Sequence, residues 1–422
     1  MNKILLSNIK EGTRFSQPLY LDDGENEFLP KGLEITENQL ELLRNKGVDA
    51  LFTTGKEIKP VPTESLEEDL ANNEKFVQNQ KSNEMLVLLS NLTNEDLELE
   101  ENKKDVEEFE EEGGFNSLAS LKKTKEYTEY LILVKNCQKI FDAVRERERL
   151  SESIVSKVYQ GLIKLVKASP ELCVALILED DIIGYEMAKS AIDVASLSYL
   201  VANNLGLPSE KISDITIAAL LHDVGMLRVN REILEKKEEL NDAERQAVET
   251  HTVYGYNCLR NEFMYPETLA KIVLQHHEWY DGSGYPSRLS ENEIDIGARI
   301  LACIDAFTAL TSKKPYRKAM LGYDAIKELL LDNGSHFDPN VINALIRSIG
   351  IFPIGSIVML SDSSLCRVIK SVPKFPLRPQ LRLLIDGNGT VYSDEENKTV
   401  NLQIQKNLFI TQAIDPAIIE IK

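Results

Sequence analysis

The sequence predicts a multidomain protein. A central all-α helical bundle is flanked by a small α+β N-terminal domain and a small, barrel-like all-β C-terminal domain. Three observations predict this fold class. Apolar residues recur at three- and four-residue steps from Ser117 to about Gly350, as on the buried faces of helices. Short apolar stretches bounded by turn residues precede residue 58 and follow Gly350, as in strands. The 422 residues leave room for two or three such domains.

The composition is that of an ordinary soluble protein, with 43% hydrophobic and 27% charged residues. No apolar run reaches the roughly 18 residues of a membrane helix, and MNKILLSNIKEG lacks the apolar core of a signal peptide. We therefore expect a cytoplasmic protein without a membrane partner. The net charge of −20 disfavours polymeric nucleic acid as a partner, but it leaves open a small anion held by local metals and bases. The five cysteines have no paired spacing, which predicts reduced core residues.

Residues 1–58 are predicted to form the small α+β accessory domain. QPLYL and FLP flank the turn-forming DDGENE, as two strands would. A helix is expected to begin at the N-cap Thr36 and to end at Gly47. No residue here indicates chemistry, so the domain is either a plain accessory domain or a partner-binding or sensory module.

Residues 59–115 are predicted to be an acidic, partly disordered linker. The run NEDLELEENKKDVEEFEEEGG carries eleven acidic residues against two lysines, and such a segment repels itself and lacks core-forming residues. MLVLLSNL is apolar enough for a short helix within it. The all-α domain is expected over 116–350 and the all-β domain over 351–422, where GSIVML, CRVIKSV and QLRLLID have the texture of strands.

The chain has only five histidines, and four of them fall between residues 222 and 277. Imidazole and carboxylate together suit iron, manganese, zinc or nickel, and a carboxylate can bridge two ions that clamp a phosphate. A single helical histidine is more often a core residue than a ligand. Adjacent histidines on a helix also point about 100° apart, so both can bind only an ion beyond the helix end. The argument therefore depends on the order of His222-Asp223, His251, His276-His277 and Asp305.

In that order the stretch from LLHDVGM through HHEWYDGSGYP to RILACIDAFTALTSKKPYRKA resembles the HD-GYP family of HD-domain phosphohydrolases. The resemblance spans roughly 150–350, and residues 276–286 fit the pattern HHExxDGxGYP at every fixed position. It implies a central HD-type helical bundle that hydrolyses the bacterial second messenger cyclic di-GMP to pGpG and then GMP. It also implies two or three divalent metal ions, usually iron or manganese; two are expected here.

The resemblance also implies residue roles. Asp223 would bridge two metals and be the catalytic carboxylate. His251, His276 and His277 would hold one ion, and His222 and Asp305 the other. The ligand-binding residues would be Asp281, Gly284 and Tyr285 of the loop, with Lys314 and Arg317 as phosphate-binding bases.

Three departures from the family pattern weaken the expectation of turnover. Ser190 stands where an upstream histidine ligand is usual, and Glu186, one turn earlier, would be either a substitute ligand or a surface charge. Met226 replaces the lysine of HDxGK, and losing such a charge-stabilising group typically costs about 10²–10³ in rate. Thr308 replaces a common aspartate near Asp305, which would loosen support of the metal ligands.

Two functional classes therefore remain. The favoured one is a cyclic di-GMP phosphodiesterase, whose activity is either intact or, because of the departures, reduced or lost. The alternative is a degenerate HD-GYP domain that binds cyclic di-GMP, or a signalling protein such as a diguanylate cyclase, without turnover. His336, in SHFDP, is predicted to be a structural histidine in a turn after Gly334.

Overall fold

The computed structural model describes most of residues 122–415 and short segments between residues 2 and 58. The described residues exclude 59–121 and 416–422, and they exclude the short stretches 149–151, 179–181, 183, 237, 313–318, 333, 373–374, 394–395 and 397. The acidic linker predicted over 59–115, with its apolar patch, therefore lies outside the described residues. The chain divides into two compact units, Met1–Ser82 and Asn83–Lys422.

The first unit contains a small antiparallel sheet in the order β1-β5-β3-β4, and a separate pair, β2-β6. Its core consists of leucine and isoleucine side chains, among them Leu19, Leu40 and Leu51. Most of the helix predicted from Thr36 to Gly47 lies outside the described residues, although Leu40, Leu43 and Arg44 are helical. The strands are β1 Asn2–Leu5, β2 Arg14–Phe15, β3 Leu19–Tyr20, β4 Glu27–Leu29, β5 Ala50–Thr53 and β6 Glu57–Ile58.

The second unit begins with helices, as the three- and four-residue apolar spacing predicts. Their bounds are α1 Lys125–Arg145, α2 Glu152–Ala168, α3 Pro170–Ile177, α4 Glu186–Asn204, α5 Ser209–Leu221, α6 Arg231–Leu234, α7 Asp242–Glu249, α8 His251–Asn257, α9 Glu267–Gln275, α10 Ile296–Thr311, α11 Gly322–Leu331 and α12 Pro339–Ile349. A 3₁₀ helix, Val224–Arg228, follows α5, and a π-helical turn, Cys258–Glu262, follows α8.

Side-chain caps fix where several of these helices begin. Asn241 forms a capping box with Glu244 at the start of α7, so two amides at the helix N-terminus are satisfied reciprocally. Asp295 accepts a hydrogen bond from the Gly297 amide at the start of α10, and Asp338 does the same for the Asn340 amide in α12. The Asp295 cap determines where α10, the helix that carries Asp305, begins.

Helix α4 is the centre of the bundle and packs against α1, α5, α10 and α12. A buried polar network joins it to α1. Lys189 Nζ lies 2.6 Å from Asp193 Oδ2, and the Tyr130 hydroxyl donates to Asp193 Oδ1 at 2.6 Å. Because each buried polar group has a partner, the network holds α1 to α4 without leaving an unpaired charge.

The C-terminal strands are β7 Ile357–Leu360, β8 Leu365–Lys370, β9 Gln380–Ile385, β10 Thr399–Asn401 and β11 Ile410–Ile414. They form one antiparallel sheet in the order β10-β9-β8-β7-β11. The all-β prediction is confirmed, but the barrel-like closure is wrong. Closure would require the edge strands β10 and β11 to pair with each other; within the described residues, each pairs with one inner strand instead.

Two predictions from composition can be compared with the structure. All five cysteines are free and buried, which confirms that they are reduced core residues. Among the described helices, none is both long enough and apolar enough to cross a bilayer.

Candidate metal centre

The candidate histidine ligands lie at or directly beside the ends of helices, where side chains can point beyond the helix axis. His222 caps the C-terminus of α5, His251 is the first residue of α8, and His276 caps the C-terminus of α9. His277 follows directly. Because His276 and His277 lie at the end of α9, both imidazoles can approach one ion beyond the helix. This is the condition that the sequence analysis set for both to be ligands.

His251, His276 and His277 form the tightest group. One ligand atom from each lies within 4.8 Å of the other two. The ring of His277 lies 4.2 Å from that of His276 and 5.0 Å from that of His251, centroid to centroid. His251 and His276 are completely buried, and His277 is partly buried.

Backbone carbonyls orient the first two of these rings. Nδ1 of His251 lies 2.7 Å from the Val248 oxygen, and Nδ1 of His276 lies 2.6 Å from the Val273 oxygen. Donation from Nδ1 leaves the Nε2 lone pair of a neutral imidazole free to accept. The two Nε2 atoms nevertheless lie 3.3 Å apart. Two lone pairs so close together fit a cation shared between them, and the carbonyls fit the outer support usual for histidine ligands.

His222 is a candidate ligand for a second cation. Its Nδ1 lies 2.7 Å from the Ala219 oxygen, so Nε2 is again the free acceptor. That Nε2 atom is buried without a hydrogen-bond partner. It lies 3.4 Å from Asp223 Oδ2 and 3.7 Å from Asp305 Oδ1. Because buried polar atoms are rarely left unpartnered, this nitrogen between two carboxylates fits an ion-binding role.

Asp223 lies between the two groups. Its Oδ2 atom faces His222, and its Oδ1 atom lies 3.7 Å from His251 Nε2. The Asp223 side chain is 29% exposed, and the Asp305 side chain is 26% exposed. The two carboxylates are therefore partly open to solvent, while His222 and His251, which they face, are buried.

The electrostatics of Asp223, His276 and His277 agree with this arrangement. Burial tends to raise the pKa of Asp223, but His222, His251 and His276 together hold it well below its usual range. Burial and the neighbouring imidazoles lower the pKa of His276 far below its usual value and that of His277 to about 3. These two side chains are thus neutral near pH 7, the form that binds a metal. Burial alone would lower the pKa of His222, but Asp223 and Asp305 raise it above its ordinary value.

Glycines allow the site to pack closely. A Cβ at Gly225 would overlap the carbonyl oxygen of His251 and lie 2.6 Å from the Gly255 amide nitrogen. The glycine of HDVG is therefore what lets the 3₁₀ helix lie directly against α8. A Cβ at Gly284 would overlap the backbone of His277 and Trp279, so the loop of residues 278–286 also requires glycine to fold back on the segment that follows α9.

The loop places Tyr285 against a predicted metal ligand. The Tyr285 amide donates to the His277 oxygen at 3.0 Å, and the two rings stack with centroids 4.9 Å apart. Burial raises the pKa of the Tyr285 hydroxyl above its usual value. The phenol therefore stays neutral and can serve as a hydrogen-bond donor beside the site.

The outer face of this loop is held by the segment that contains His336. The ring of Trp279 lies 3.9 Å from the ring of His336, centroid to centroid. The amides of Tyr280 and Asp281 donate to the oxygens of His336 and Ser335, at 3.0 and 2.8 Å. His336 Nδ1 also lies 3.2 Å from Asp332 Oδ2. This placement agrees with a structural role for His336.

Four predicted residues remain, and the structure describes two of them, Asp281 and Glu186. Lys314 and Arg317 are outside the described residues. Asp281 is exposed and accepts hydrogen bonds from the amide and hydroxyl of Ser283, which lower its pKa. Glu186 is exposed, and its Oε1 accepts from the Gly184 amide at 2.9 Å, so its predicted role as a ligand would require the carboxylate to turn away from this contact.

The three departures from the family pattern have distinct surroundings. Ser190 and Met226 are partly buried, on α4 and on the 3₁₀ helix. Thr308 is buried, and its hydroxyl donates to the Asp305 backbone oxygen at 2.9 Å. That hydroxyl contacts the backbone of the predicted ligand, whereas an aspartate there would place a charge near it.

Sequence reasoning missed Glu278, the residue directly after the paired histidines. Its side chain is 1% exposed, and it accepts hydrogen bonds from the amides of Ser287 and Leu289, at 2.6 and 3.0 Å. The available signal was its fixed place in HHExxDGxGYP, but a glutamate in that position is equally compatible with an exposed charge.

Comparisons with known proteins agree with this site. The HD domain family matches residues 150–341, and the KOW domain associated with the HD domain matches residues 357–422. The cyclic di-GMP phosphodiesterase PA4108 of Pseudomonas aeruginosa is 32% identical over 201 residues, 48% of each chain. The cyclic di-GMP phosphodiesterase response regulator RpfG of Xanthomonas campestris is 40% identical over 151 residues, 35% of this chain and 39% of that protein.

A third relative differs in its named substrate. The 3'3'-cGAMP-specific phosphodiesterase 3 of Vibrio cholerae is 34% identical over 160 residues, 38% of this chain and 35% of the relative. The chain thus spans about half or less of the length of these three relatives. The HD domain match includes the residues of the metal centre.

Proposed function

Residues 150–341 belong to the HD domain family and are related to its cyclic dinucleotide phosphodiesterases; from that premise we propose that this chain hydrolyses cyclic di-GMP to pGpG and GMP in bacterial second-messenger signalling. The observation that carries the proposal is the donor set. Three imidazoles with ligand atoms within 4.8 Å of one another adjoin a buried, unpartnered His222 nitrogen that faces Asp223 and Asp305.

Two divalent ions, iron or manganese, suit these donors. His251, His276 and His277 would hold one ion, and His222 and Asp305 the other, with Asp223 between them. Bound ions of this kind supply an activated water near neutral pH and offset charge on a phosphate. The protein's own contribution is to keep His276 and His277 neutral through burial, and to orient the rings of His251, His276 and His222 through the Val248, Val273 and Ala219 carbonyls.

The loop side chains would bind the dinucleotide. Tyr285 offers a neutral hydroxyl next to His277, while Asp281 and Gly284 shape the loop around it. Lys314 and Arg317 remain predicted phosphate-binding bases, since a cation beside a phosphodiester offsets the charge that develops during cleavage. Glu186 remains a predicted additional ligand. A signalling protein partner and a cytoplasmic location also remain predictions.

A receptor without turnover is the second candidate, and the substitution at Met226 favours it. A thioether on the 3₁₀ helix beside His222 and Asp223 cannot stabilise phosphate charge as the usual lysine would. Ser190 also supplies a weaker donor than the histidine expected at its position. In a receptor, the intact His251, His276 and His277 group would hold a structural ion, and the loop would bind the dinucleotide.

The experiment that separates these candidates starts from purified protein loaded with Mn²⁺ or Fe²⁺ without oxygen. Cyclic di-GMP and, separately, 3'3'-cGAMP are added, and the products are followed by chromatography. Products that vanish in Asp223→Ala would support the phosphodiesterase. Bound cyclic di-GMP without product from the wild type, together with product from the Ser190→His/Met226→Lys double variant, would identify a receptor.

A further inference from the structure

The Glu278 carboxylate is an unusual feature of the loop beside the metal centre. It is 1% exposed, and both of its oxygens accept backbone hydrogen bonds, Oε1 from Ser287 and Oε2 from Leu289. Burying a carboxylate is unfavourable unless hydrogen bonds compensate it. These two contacts satisfy the charged group while tying the end of the loop to its beginning.

Because Glu278 binds the amides of Ser287 and Leu289, the backbone between them forms a closed loop that contains the predicted ligand-binding residues. Glu278 is at its base, and Gly284 and Tyr285 lie between Glu278 and the two amides that it holds. Within this closed loop, the Tyr285 amide donates to the His277 oxygen, and the Tyr285 ring stacks on the His277 ring. Displacement of residues 287–289 would therefore carry Tyr285 away from His277.

The rings of His251 and His276 do not depend on this closed loop. The Nδ1 atom of His251 contacts the oxygen of Val248 in α7, and the Nδ1 atom of His276 contacts the oxygen of Val273 in α9. Neither carbonyl belongs to the loop that Glu278 holds. The outer face of the loop is held separately through Trp279 and His336. Loss of the Glu278 contacts should therefore loosen the part of the loop that carries Tyr285 and leave most of the candidate metal-binding group in place.

We propose that Glu278 is a positioning residue that sets the place of the Tyr285 ring, and thereby the ligand-facing wall beside His277, without itself contacting metal or ligand. The proposal deepens the proposed function and rests on it for its effect on cyclic di-GMP. Its structural part, the fixing of residues 287–289, depends only on the contacts of Glu278.

Glu278→Gln is the sharpest variant because it keeps the size of the side chain. One carboxylate oxygen becomes an amide NH₂ that cannot accept from a backbone N–H, so one of the two contacts is lost. Glu293→Gln is the matched control. Glu293 is in the same segment and also accepts two hydrogen bonds, from the amide and hydroxyl of Ser290, but it is exposed.

The first measurement needs no ligand. Trypsin can cut the bond between the exposed Arg288 and Leu289, whose amide is held by Glu278, and mass spectrometry follows that bond alone. Glu278→Gln should raise the cleavage rate at least about tenfold, a factor equivalent to about 1.4 kcal/mol and near the lower end for a charged hydrogen bond. Glu293→Gln should cleave at the wild-type rate.

The second measurement separates positioning from general stability. Glu278→Gln should raise KM for cyclic di-GMP about tenfold, with kcat lowered less than threefold and with wild-type metal content. Glu278→Asp is not expected to keep the wild-type KM, because its shorter side chain cannot reach the amides of both Ser287 and Leu289. The visible spectrum of bound Co²⁺ should change in Glu278→Gln, since the His277 ring loses its stacking partner, and should stay unchanged in Glu293→Gln.

Equal cleavage, KM and cobalt spectra in Glu278→Gln and the wild type would overturn the positioning role. The positioning role would also be overturned if Glu278→Gln lost activity only in proportion to a lower melting temperature, with kcat falling by as large a factor as KM rises. If the wild type neither binds nor hydrolyses a cyclic dinucleotide, the proposed function fails. The positioning role is then decided by proteolysis and by the cobalt spectrum.

Discussion

Replacing Gly225 by alanine should displace His251 and weaken metal binding, because the two residues meet backbone to backbone. Gly225 is buried at the start of the 3₁₀ helix that follows Asp223. A Cβ there would lie 2.6 Å from the Gly255 amide nitrogen and 2.9 Å from the His251 carbonyl carbon, and it would overlap the His251 oxygen. None of these atoms belongs to a side chain that could rotate away.

The required movement follows from these distances. Ordinary contact begins at 3.4 Å, so the Gly255 nitrogen alone would have to move by about 0.8 Å, and the His251 oxygen by more. Such overpacking of a core typically costs about 1–3 kcal/mol, and we expect the upper end because backbone must move on both sides. Metal ligands tolerate only about 0.2 Å, so the ion held by His251 should bind much more weakly.

The assay compares urea unfolding and bound metal for Gly225→Ala and Gly389→Ala. Gly389 has a φ of +86° and open space around its Cβ position, so its substitution should cost only about 1–2 kcal/mol from the backbone conformation. Its metal content should match the wild type. A Gly225→Ala protein within about 1 kcal/mol of the wild type, with full metal content, would refute the reasoning.

Two further predictions concern the buried groups of the bundle. Asp193→Ala should lower the free energy of unfolding by about 3–5 kcal/mol, because Lys189 would remain buried without its carboxylate; Lys211→Ala, which removes a partly exposed pair with Asp295, should cost far less in the same denaturation experiment. Burial raises the pKa of the Cys137, Cys173, Cys258 and Cys366 thiols to about 12 and also raises that of Cys303. Iodoacetamide at pH 8 should therefore leave these cysteines unlabelled in the folded protein and label them after unfolding, and rapid native labelling of any one would contradict its burial.

Much of the fold follows from local patterns in the sequence. The apolar spacing after Ser117 predicts the helices because each buries one face, and the short strands after Gly350 follow from turn residues and alternation. Barrel closure could not be predicted in this way, since it depends on whether β10 and β11 meet. That pairing is set by tertiary packing, and the sequence of either strand gives no direct signal for it.

The candidate site is predictable where residue type restricts chemistry. Histidines are few in this chain, so the order of His222, His251 and His276-His277 along the sequence is informative by itself. The distances among them, and the carbonyls that orient them, depend on how the helix ends meet in three dimensions. The sequence therefore predicts which residues belong to the site, and the fold determines how they face one another.

Glu278 and Gly225 show what sequence reasoning could not reach. A glutamate carries no sign that it is buried against the backbone of its own loop, and a glycine after a His-Asp pair does not reveal which carbonyl approaches it. Glu186 illustrates the converse. Its spacing of one helical turn from Ser190 suggests a ligand, whereas its carboxylate contacts the Gly184 amide.

The most direct test of the central claim is hydrolysis of cyclic di-GMP by the manganese-loaded protein in water enriched in oxygen-18, with Asp223→Asn in parallel. A metal-dependent hydrolase should place one heavy oxygen on the terminal phosphate of each pGpG formed, and Asp223→Asn should form almost none. The absence of both labelled pGpG and labelled GMP from the wild-type reaction, or equal amounts of product from both proteins, would contradict the account.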